Sequence, residues 1–171
     1  YMTKAAGTHN DRECARCPPG MYCDGLNKTK CAKGTAHDGV GDDLSFCPKC
    51  AAGQYAGGLG WEQCLKCPKG FYEPQNGQPG CRECELGEYG DVKGLVRCQL
   101  CAEGQFAASR GHLSCTDCAA GKYQSAEGGS SCVDCAAGTV APFSGTDTCT
   151  ACGVETWQDV EGQLACKAAT T

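Results

Sequence analysis

The residues of this sequence best suited to chemistry are its cysteines, 19 among 171 residues. Most of them stand in C-x2-C pairs, a spacing used in zinc sites, in redox-active dithiols and between neighbouring disulfide loops. A cysteine content of about 11% is typical of disulfide scaffolds. Such scaffolds belong to secreted and cell-surface proteins, because cytosolic thiols stay reduced.

The spacing of the pairs distinguishes between these chemistries. Pairs recur every 17 residues, each separated from the next by thirteen residues: Cys47/Cys50, Cys64/Cys67, Cys81/Cys84, Cys98/Cys101, Cys115/Cys118, Cys132/Cys135 and Cys149/Cys152, with Cys166 closing the series. A tetrahedral zinc site consumes two pairs, so a zinc array would repeat at twice this period, and no such superperiod is present. Redox catalysis needs a single activated pair. The repetition therefore favours structural disulfides, with no metal and no cofactor.

The remaining residues offer no catalytic arrangement. His9, His37 and His112 are scattered, and no nucleophile–base set, phosphate loop or calcium loop stands out. The net charge of −5 has mixed signs along the chain and forms no basic stripe, which argues against nucleic-acid binding. No apolar run approaches the roughly 18 residues of a membrane-spanning helix. We expect a protein that is not an enzyme and that has no membrane span in this chain.

The thirteen-residue gaps share a pattern, counted from the cysteine that opens each gap. Position +3 is glycine in the first six gaps, and position +10 is glycine in all seven. Position +5 is Tyr55, Tyr72, Tyr89, Phe106, Tyr123, Val140 and Trp157. The glycines predict positive φ or close chain approach, with a chain reversal at +10. The aromatic rings are expected to lie over a neighbouring disulfide or the next ring. Glu155 replaces the glycine at +3 of the last gap, as in a capping repeat.

A hydrophobic core cannot hold this chain together. It contains 9 Leu, 7 Val, 4 Phe and no Ile, about 12% of the residues. The predicted fold class is therefore small and disulfide-rich, mostly β-hairpin and coil. It is an elongated tandem array of 17-residue modules with no single hydrophobic core.

The simplest disulfide scheme joins the two cysteines that bracket each gap, although spacing alone does not prove connectivity. It pairs Cys17–Cys31, Cys50–Cys64, Cys67–Cys81, Cys84–Cys98, Cys101–Cys115, Cys118–Cys132, Cys135–Cys149 and Cys152–Cys166. Each such loop contributes about 3 kcal/mol in the chain-entropy treatment. Pairing within or across the C-x2-C motifs, such as Cys81–Cys84 or Cys67–Cys84, is the alternative.

The first third of the chain is less regular. Asn27 takes the +10 place after Cys17 and fits a turn with positive φ. It also begins the sequon Asn27-Lys28-Thr29, a candidate N-glycosylation site. Beyond Cys31 the register slips, with Gly34 where a cysteine would open the next loop and Cys23 additional.

An odd cysteine count leaves one thiol without a partner inside the chain. Cys14 occupies the place of a loop-closing cysteine whose partner would stand just before Tyr1. We expect Cys14 to bond outside the chain, in an array joined end to end. The alternative is a local bond to Cys23 that leaves Cys47 free. Tyr1 is not an initiator Met and no signal peptide is visible, as in a processed or partial product of a secreted precursor.

The motif C-x2-G-x-Y, with a closing cysteine and a following C-x2-C, resembles the cysteine-rich repeats of ephrin receptors and tumour-necrosis-factor receptors. The segment CPPGMYCDGLNKTKC is similar to the same repeat in large surface proteins of protists and algae. The resemblance covers about residues 14–166 and implies an extended, disulfide-stapled rod without catalytic residues. Receptor ectodomains of these families vary their loop lengths, whereas one module recurs here at constant length.

These observations predict four regions: a truncated or capping segment (1–13), irregular cysteine-rich units (14–46), seven regular repeats (47–166) and a tail (167–171). The predicted function is a structural repeat segment of an extracellular filament, surface coat or appendage. Its expected partners are copies of itself, end to end or side by side, with glycans on exposed turns. The alternative is a ligand-binding cysteine-rich segment of a receptor-like cell-surface protein.

Overall fold

The fold is a series of small hairpins. The computed structural model describes residues 17–24, 27–39 and 45–168. Within these ranges all strands pair as separate antiparallel hairpins and no helix occurs, so none is present there that could cross a membrane. The hairpins are β1 (Met21–Asp24) with β2 (Asn27–Lys30), β3 (Gln54–Tyr55) with β4 (Leu65–Lys66), β5 (Phe71–Tyr72) with β6 (Arg82–Glu83), β7 (Glu88–Tyr89) with β8 (Gln99–Leu100), β9 (Gln105–Phe106) with β10 (Thr116–Asp117), β11 (Lys122–Tyr123) with β12 (Val133–Asp134), β13 (Thr139–Val140) with β14 (Thr150–Ala151), and β15 (Thr156–Trp157) with β16 (Lys167–Ala168).

Each hairpin belongs to one unit, which begins at an opening cysteine and ends just before the next opening cysteine. Units one to nine open at Cys17, Cys31, Cys50, Cys67, Cys84, Cys101, Cys118, Cys135 and Cys152. In unit three, Gln54 pairs with Lys66 and Tyr55 with Leu65. Units four to nine repeat this register. Unit two has a single bridge between Thr35 and Lys49 in place of a hairpin.

Glycines at two positions allow the chain to form this short hairpin. At position +3 of unit three, Gly53 has φ +78°, and its carbonyl accepts the N–H of Cys67 at 2.8 Å. At position +10, Gly60 has φ +74° where the chain turns back toward the closing cysteine. Both φ values lie in the left-handed region that glycine adopts without strain. The positive φ predicted from the spacing is confirmed at both positions.

The seven loops of the regular region are closed as the spacing predicts. The bonds are Cys50–Cys64, Cys67–Cys81, Cys84–Cys98, Cys101–Cys115, Cys118–Cys132, Cys135–Cys149 and Cys152–Cys166. Each joins residues 14 apart, with Cα–Cα separations of 5.5–5.8 Å. The predicted fold class, a tandem array of disulfide-closed hairpins, is confirmed.

The predicted bond between Cys17 and Cys31 is wrong. Cys17 pairs with Cys23, six residues away, and Cys31 pairs with Cys47. The four-residue strands of unit one bring Lys30 opposite Met21, as Lys66 lies opposite Gln54 in unit three. Cys31 thus occupies the place of an opening cysteine, and its N–H donates to Gly20 O at 2.8 Å as the pattern requires.

Two other expectations about this region change with that correction. Gly34 is the +3 glycine of unit two, with φ +80°, and does not stand where a cysteine should open a loop. Asn27 begins strand β2 opposite Asp24 and does not occupy a +10 turn position. The alternative bond between Cys14 and Cys23 is also wrong, since Cys23 and Cys47 are both bonded elsewhere.

The buried interior consists mainly of cysteines and contains none of the aromatic rings of position +5. The opening cysteines of units one to eight are 0–2% exposed. The aromatic residues at +5 are half-buried, and Trp157 in the last unit is 46% exposed. Within the described residues the one ring-to-ring contact joins Tyr55 and Trp61 of the same unit, 5.7 Å between centroids. Successive rings do not meet, so the expectation that each ring lies over the next is wrong; packing of the rings over a neighbouring disulfide stays a prediction.

Candidate functional site: the junctions between units

The junction between adjacent units is held by backbone hydrogen bonds. Between units three and four, Gly53 N–H donates to Glu73 O at 2.7 Å. Ala56 N–H donates to Gln78 O at 3.3 Å, and Gly77 N–H returns a bond to Cys50 O at 2.7 Å. All three bonds recur at every junction from units two and three to units eight and nine. Because backbone groups make these bonds, a junction is largely indifferent to the side chains at its surface.

Each of units one to seven also contacts the second unit along the chain, through the +3 glycine of the first and the +10 glycine of the other. A Cβ on Gly53 would meet the carbonyl group of Gly94 far inside van der Waals distance. The same contact joins Gly20 to Gly60, Gly34 to Gly77, Gly70 to Gly111, Gly87 to Gly128, Gly104 to Gly145 and Gly121 to Gly162. Glycine at +3 is therefore required twice, for its positive φ and for the close approach of the unit two places on.

The last units show what happens without that neighbour. Gly138, the +3 glycine of unit eight, has nothing within 4 Å of a Cβ built on it. In unit nine Glu155 holds the same place with φ +66°, and its side chain is exposed. A larger residue fits there because no unit two places on lies against it in the described chain. Lys167 lies 4.7 Å over the Trp157 ring and donates to Asp159, which lowers the pKa of that carboxyl.

Position +6 is buried in units two to nine except at Gln124, which is half-buried, and the sequence pattern does not reveal it. Its residues take part in two of the three junction bonds, as Glu73 does through its O and N–H. Their types differ widely: His37, Ala56, Glu73, Gly90, Ala107, Gln124, Ala141 and Gln158. Each polar member accepts the N–H of the residue two places on: His37 from Gly39, Glu73 from Gln75, Gln124 from Ala126 and Gln158 from Val160. The sequence did carry one sign of this position, since each of its residues either is small or has a side chain that can accept a hydrogen bond.

Glu73 is the one buried carboxylate among the described residues, and it tests this role. Its Oε1 accepts Gln75 N–H at 3.0 Å, and Oε2 lies 3.6 Å from Arg82 Nε. Glu73→Ala leaves the Gln75 N–H without its acceptor and should cost about 1–3 kcal/mol in the free energy of unfolding. Glu73→Gln keeps the acceptor, as Gln124 and Gln158 do, and should cost clearly less. Urea unfolding of the oxidised chain measures both values.

Arg82→Gln is the control for the charged contact. The Arg82 side chain is 56% exposed, and exposed ion pairs contribute little, so we expect a loss below about 1 kcal/mol. Equal losses in Glu73→Gln and Glu73→Ala would show that the carboxylate charge, and not the turn acceptor, stabilises the junction.

The other residues singled out in the sequence lie apart from the junctions. Asn27 and Thr29 are exposed on β2, and glycosylation of Asn27 stays a prediction. Cys14 lies outside the described residues, and its bond outside the chain also stays a prediction. Among the described residues no three His, Cys, Asp or Glu side chains are grouped to hold a metal ion.

The concave features of the surface are open and shallow. A cleft of about 430 Å³ lies where units two and three meet, lined by residues that include His37, Lys49, Gln54 and Glu62. His37 is buried, and its Nδ1 accepts Gly39 N–H at 2.9 Å. His37 thus caps its own turn, as Glu73 does.

Comparison with known families agrees with this geometry. The sequence model of the family described as tyrosine-protein kinase ephrin type A/B receptor-like matches residues 53–94, 87–135 and 104–146. These overlapping matches together span residues 53–146, more than half of the chain. All three matches run across unit boundaries, and their first residues, Gly53, Gly87 and Gly104, are whole units apart, as expected when all junctions are alike. No curated protein matches the chain. The chain belongs to the ephrin-receptor-like family of cysteine-rich repeats.

Proposed function

We propose that this chain is a structural repeat segment of an extracellular filament, surface coat or appendage, in which it acts as a spacer. One observation carries the proposal: the same three backbone bonds recur at successive junctions from unit two to unit nine. A stack that repeats one junction holds its direction and adds a constant length with each unit. The nine disulfides and the family's receptor origin support an extracellular or surface location.

The contacts also favour an extended shape. The junction bonds join adjacent units, and the glycine contacts reach only two units along the chain. Arrays with such short-range contacts are quasi-one-dimensional, and they lengthen without building a central core. Copies of the chain, with Cys14 available for a bond outside it, are the partners expected of a filament.

A change in unit number tests the spacer. Deleting residues 84–100, one whole unit, brings Glu83 next to Cys101 and restores a regular junction. We expect the maximum dimension in small-angle X-ray scattering to fall by one fixed increment. Inserting a second copy of residues 101–117 should raise it by the same increment. The intact chain should have a radius of gyration well above the roughly 16 Å of a compact 171-residue domain.

Unequal increments, or a compact radius, would refute the spacer. The filament is tested separately by size analysis of the native material without reductant. A monodisperse monomer would exclude the filament and leave the spacer standing.

A ligand-binding segment of a receptor-like protein is the second candidate, favoured by the cleft between units two and three. There the loop of unit two joins cysteines 16 apart instead of 14, and polar side chains converge. Receptor function predicts that ligand capture depends on this irregular junction and survives deletion of residues 84–100. The spacer function predicts that no single junction is needed for binding.

A further inference from the structure

The residue just before each opening cysteine is exposed, and its charge changes along the array. We call these the column residues: Lys30, Lys49, Lys66, Glu83, Leu100, Asp117 and Asp134, from units one to seven. Three lysines come first, and three of the next four residues are acidic, with Leu100 between them. Ala151, which precedes the opening Cys152, is exposed and uncharged. This order is hidden in the sequence, where charges of both signs are interspersed, because the column residues are about 17 residues apart.

The glycine contacts place the column residues in lines. Carbon atoms of Lys30 and Lys66 lie 3.5 Å and 3.3 Å from the positions that a Cβ on Gly60 and Gly94 would take. Lys49, Leu100, Asp117 and Asp134 cover the +10 glycine two units on in the same way. No atom of Glu83 lies within 4 Å of a Cβ built on Gly111, so Glu83 is placed in its line by its position in the repeat alone. Alternate units therefore form two lines: Lys30, Lys66, Leu100 and Asp134 in one, and Lys49, Glu83 and Asp117 in the other.

Both lines run from positive to negative in the same direction. The surrounding sequence has the same polarity: residues 27–69 contain six Lys and four Asp or Glu, a net charge of +2. Residues 83–168 contain five Lys or Arg and twelve Asp or Glu, a net charge of −7. One end of the array is thus basic along its columns, and the other part is acidic.

We propose that this surface binds a second copy of the chain, side by side and antiparallel. In that arrangement the lysine-rich part of each copy faces the acidic part of the other, with Lys30 and Lys49 toward Asp134 and Asp117 of the second copy. Both halves of the pair are satisfied at once, and the interface closes on a two-fold axis. In-register parallel pairing would bring like charges together. Within their own units, Lys122 donates to Oδ1 of Asp134 at 2.8 Å and Gln105 donates to Oδ1 of Asp117 at 2.8 Å.

The pairing rests on the proposed function in one respect, since it requires the array to be a straight rod. A straight rod does not require the pairing. Exposed ion pairs are individually weak and are screened by salt, so several must act together. The pair is therefore expected to be salt-sensitive and to form at high local concentration, as within a coat or filament.

Sedimentation equilibrium of the full chain tests the pairing, with Cys14→Ser throughout to remove disulfide exchange. We expect a dimer at 20 mM salt that dissociates at 500 mM. The triple variant Lys30→Glu, Lys49→Glu, Lys66→Glu should weaken dimerisation by about tenfold or more. The triple variant Glu83→Lys, Asp117→Lys, Asp134→Lys should do the same. Mixing the two variants should restore a 1:1 complex, because one is now acidic along both lines and the other more basic.

The matched control reverses three exposed lysines outside the columns: Lys33→Glu, Lys69→Glu and Lys93→Glu. It changes the net charge by the same amount and should dimerise like the parent. An equal loss in this control would assign the association to net charge and overturn the column surface. A monomer at low salt, no recovery on mixing, or masses rising beyond the dimer would each overturn the antiparallel pair. None of these outcomes alters the scattering increments that test the spacer.

Discussion

Gly87→Ala should lower the free energy of unfolding by about 2–5 kcal/mol and loosen the array from unit five to unit seven. Gly87 has φ +77°, where an alanine costs about 1–2 kcal/mol. Its new Cβ would also fall on the carbonyl of Gly128, two units on, and force the two segments of the chain apart. Denaturant unfolding of the oxidised chain measures the loss. Hydrogen exchange should show faster exchange at Gly128 N–H, which bonds Cys101 O at 2.7 Å.

Gly138→Ala separates the cost of the backbone conformation from the cost of the close contact between units. Gly138 has nearly the same backbone conformation, with φ +86°, but nothing lies within 4 Å of a Cβ built there. It should lose only the backbone part, about 1–2 kcal/mol. Equal losses in the two variants would mean that close approach between units two places apart contributes nothing to stability.

Removing the disulfide of an interior unit should divide the array. The double variant Cys84→Ala, Cys98→Ala opens a loop whose closure contributes about 3 kcal/mol, and it removes a fully buried sulfur. Unit five makes three junction bonds on each side, including Glu73 N–H to Leu95 O and Gly87 N–H to Ala107 O. Both sets should be lost together, because hairpins this short are not stable alone. Hydrogen exchange with mass spectrometry should show loss of protection in unit five and at the facing edges of units four and six.

The matched double variant Cys152→Ala, Cys166→Ala opens a loop of the same length in unit nine. That unit has a junction on one side only in the described chain, with Gly138 N–H bonded to Gln158 O. Loss of protection should stay within units eight and nine, and the decrease in stability should be smaller. If the interior variant keeps full protection around unit five, the units are stable independently and the junctions are not what supports them.

Much of this architecture could be predicted because it depends on residue types, cysteine and glycine, that few other residues can replace. Cysteine at a fixed spacing predicted the seven regular loops, and glycine at +3 and +10 predicted their turns. The family was also recognisable from these residues. The close approach of Gly53 to Gly94 could not be predicted, because nothing in a single unit indicates that the second unit along, and not the first, lies against it.

The wrong predictions concern positions at which the spacing in the sequence matches the repeat but the residue has a different place in the structure. Cys31 stands fourteen residues after Cys17, the separation of a closed loop, yet it opens the next unit. Gly34, three residues after Cys31, was the sign of this, since +3 glycine follows an opening cysteine. Position +6 was missed because its residues make the junction bonds through backbone groups, so residues as different as alanine, glutamate, glutamine and histidine occur there.

The disulfides also set how far the array can stretch under tension. A force along the chain enters a unit at its opening cysteine and crosses the disulfide, so the loop residues bear none of it. From Cys50 the path runs to Cys64, a Cα–Cα distance of 5.5 Å, and then through three peptide bonds to Cys67. Even fully unravelled, a unit reaches about 16 Å, against roughly 58 Å for 17 free residues. An oxidised array is therefore a tether with a short limit of extension, and reduction of a single disulfide would release about 40 Å of slack.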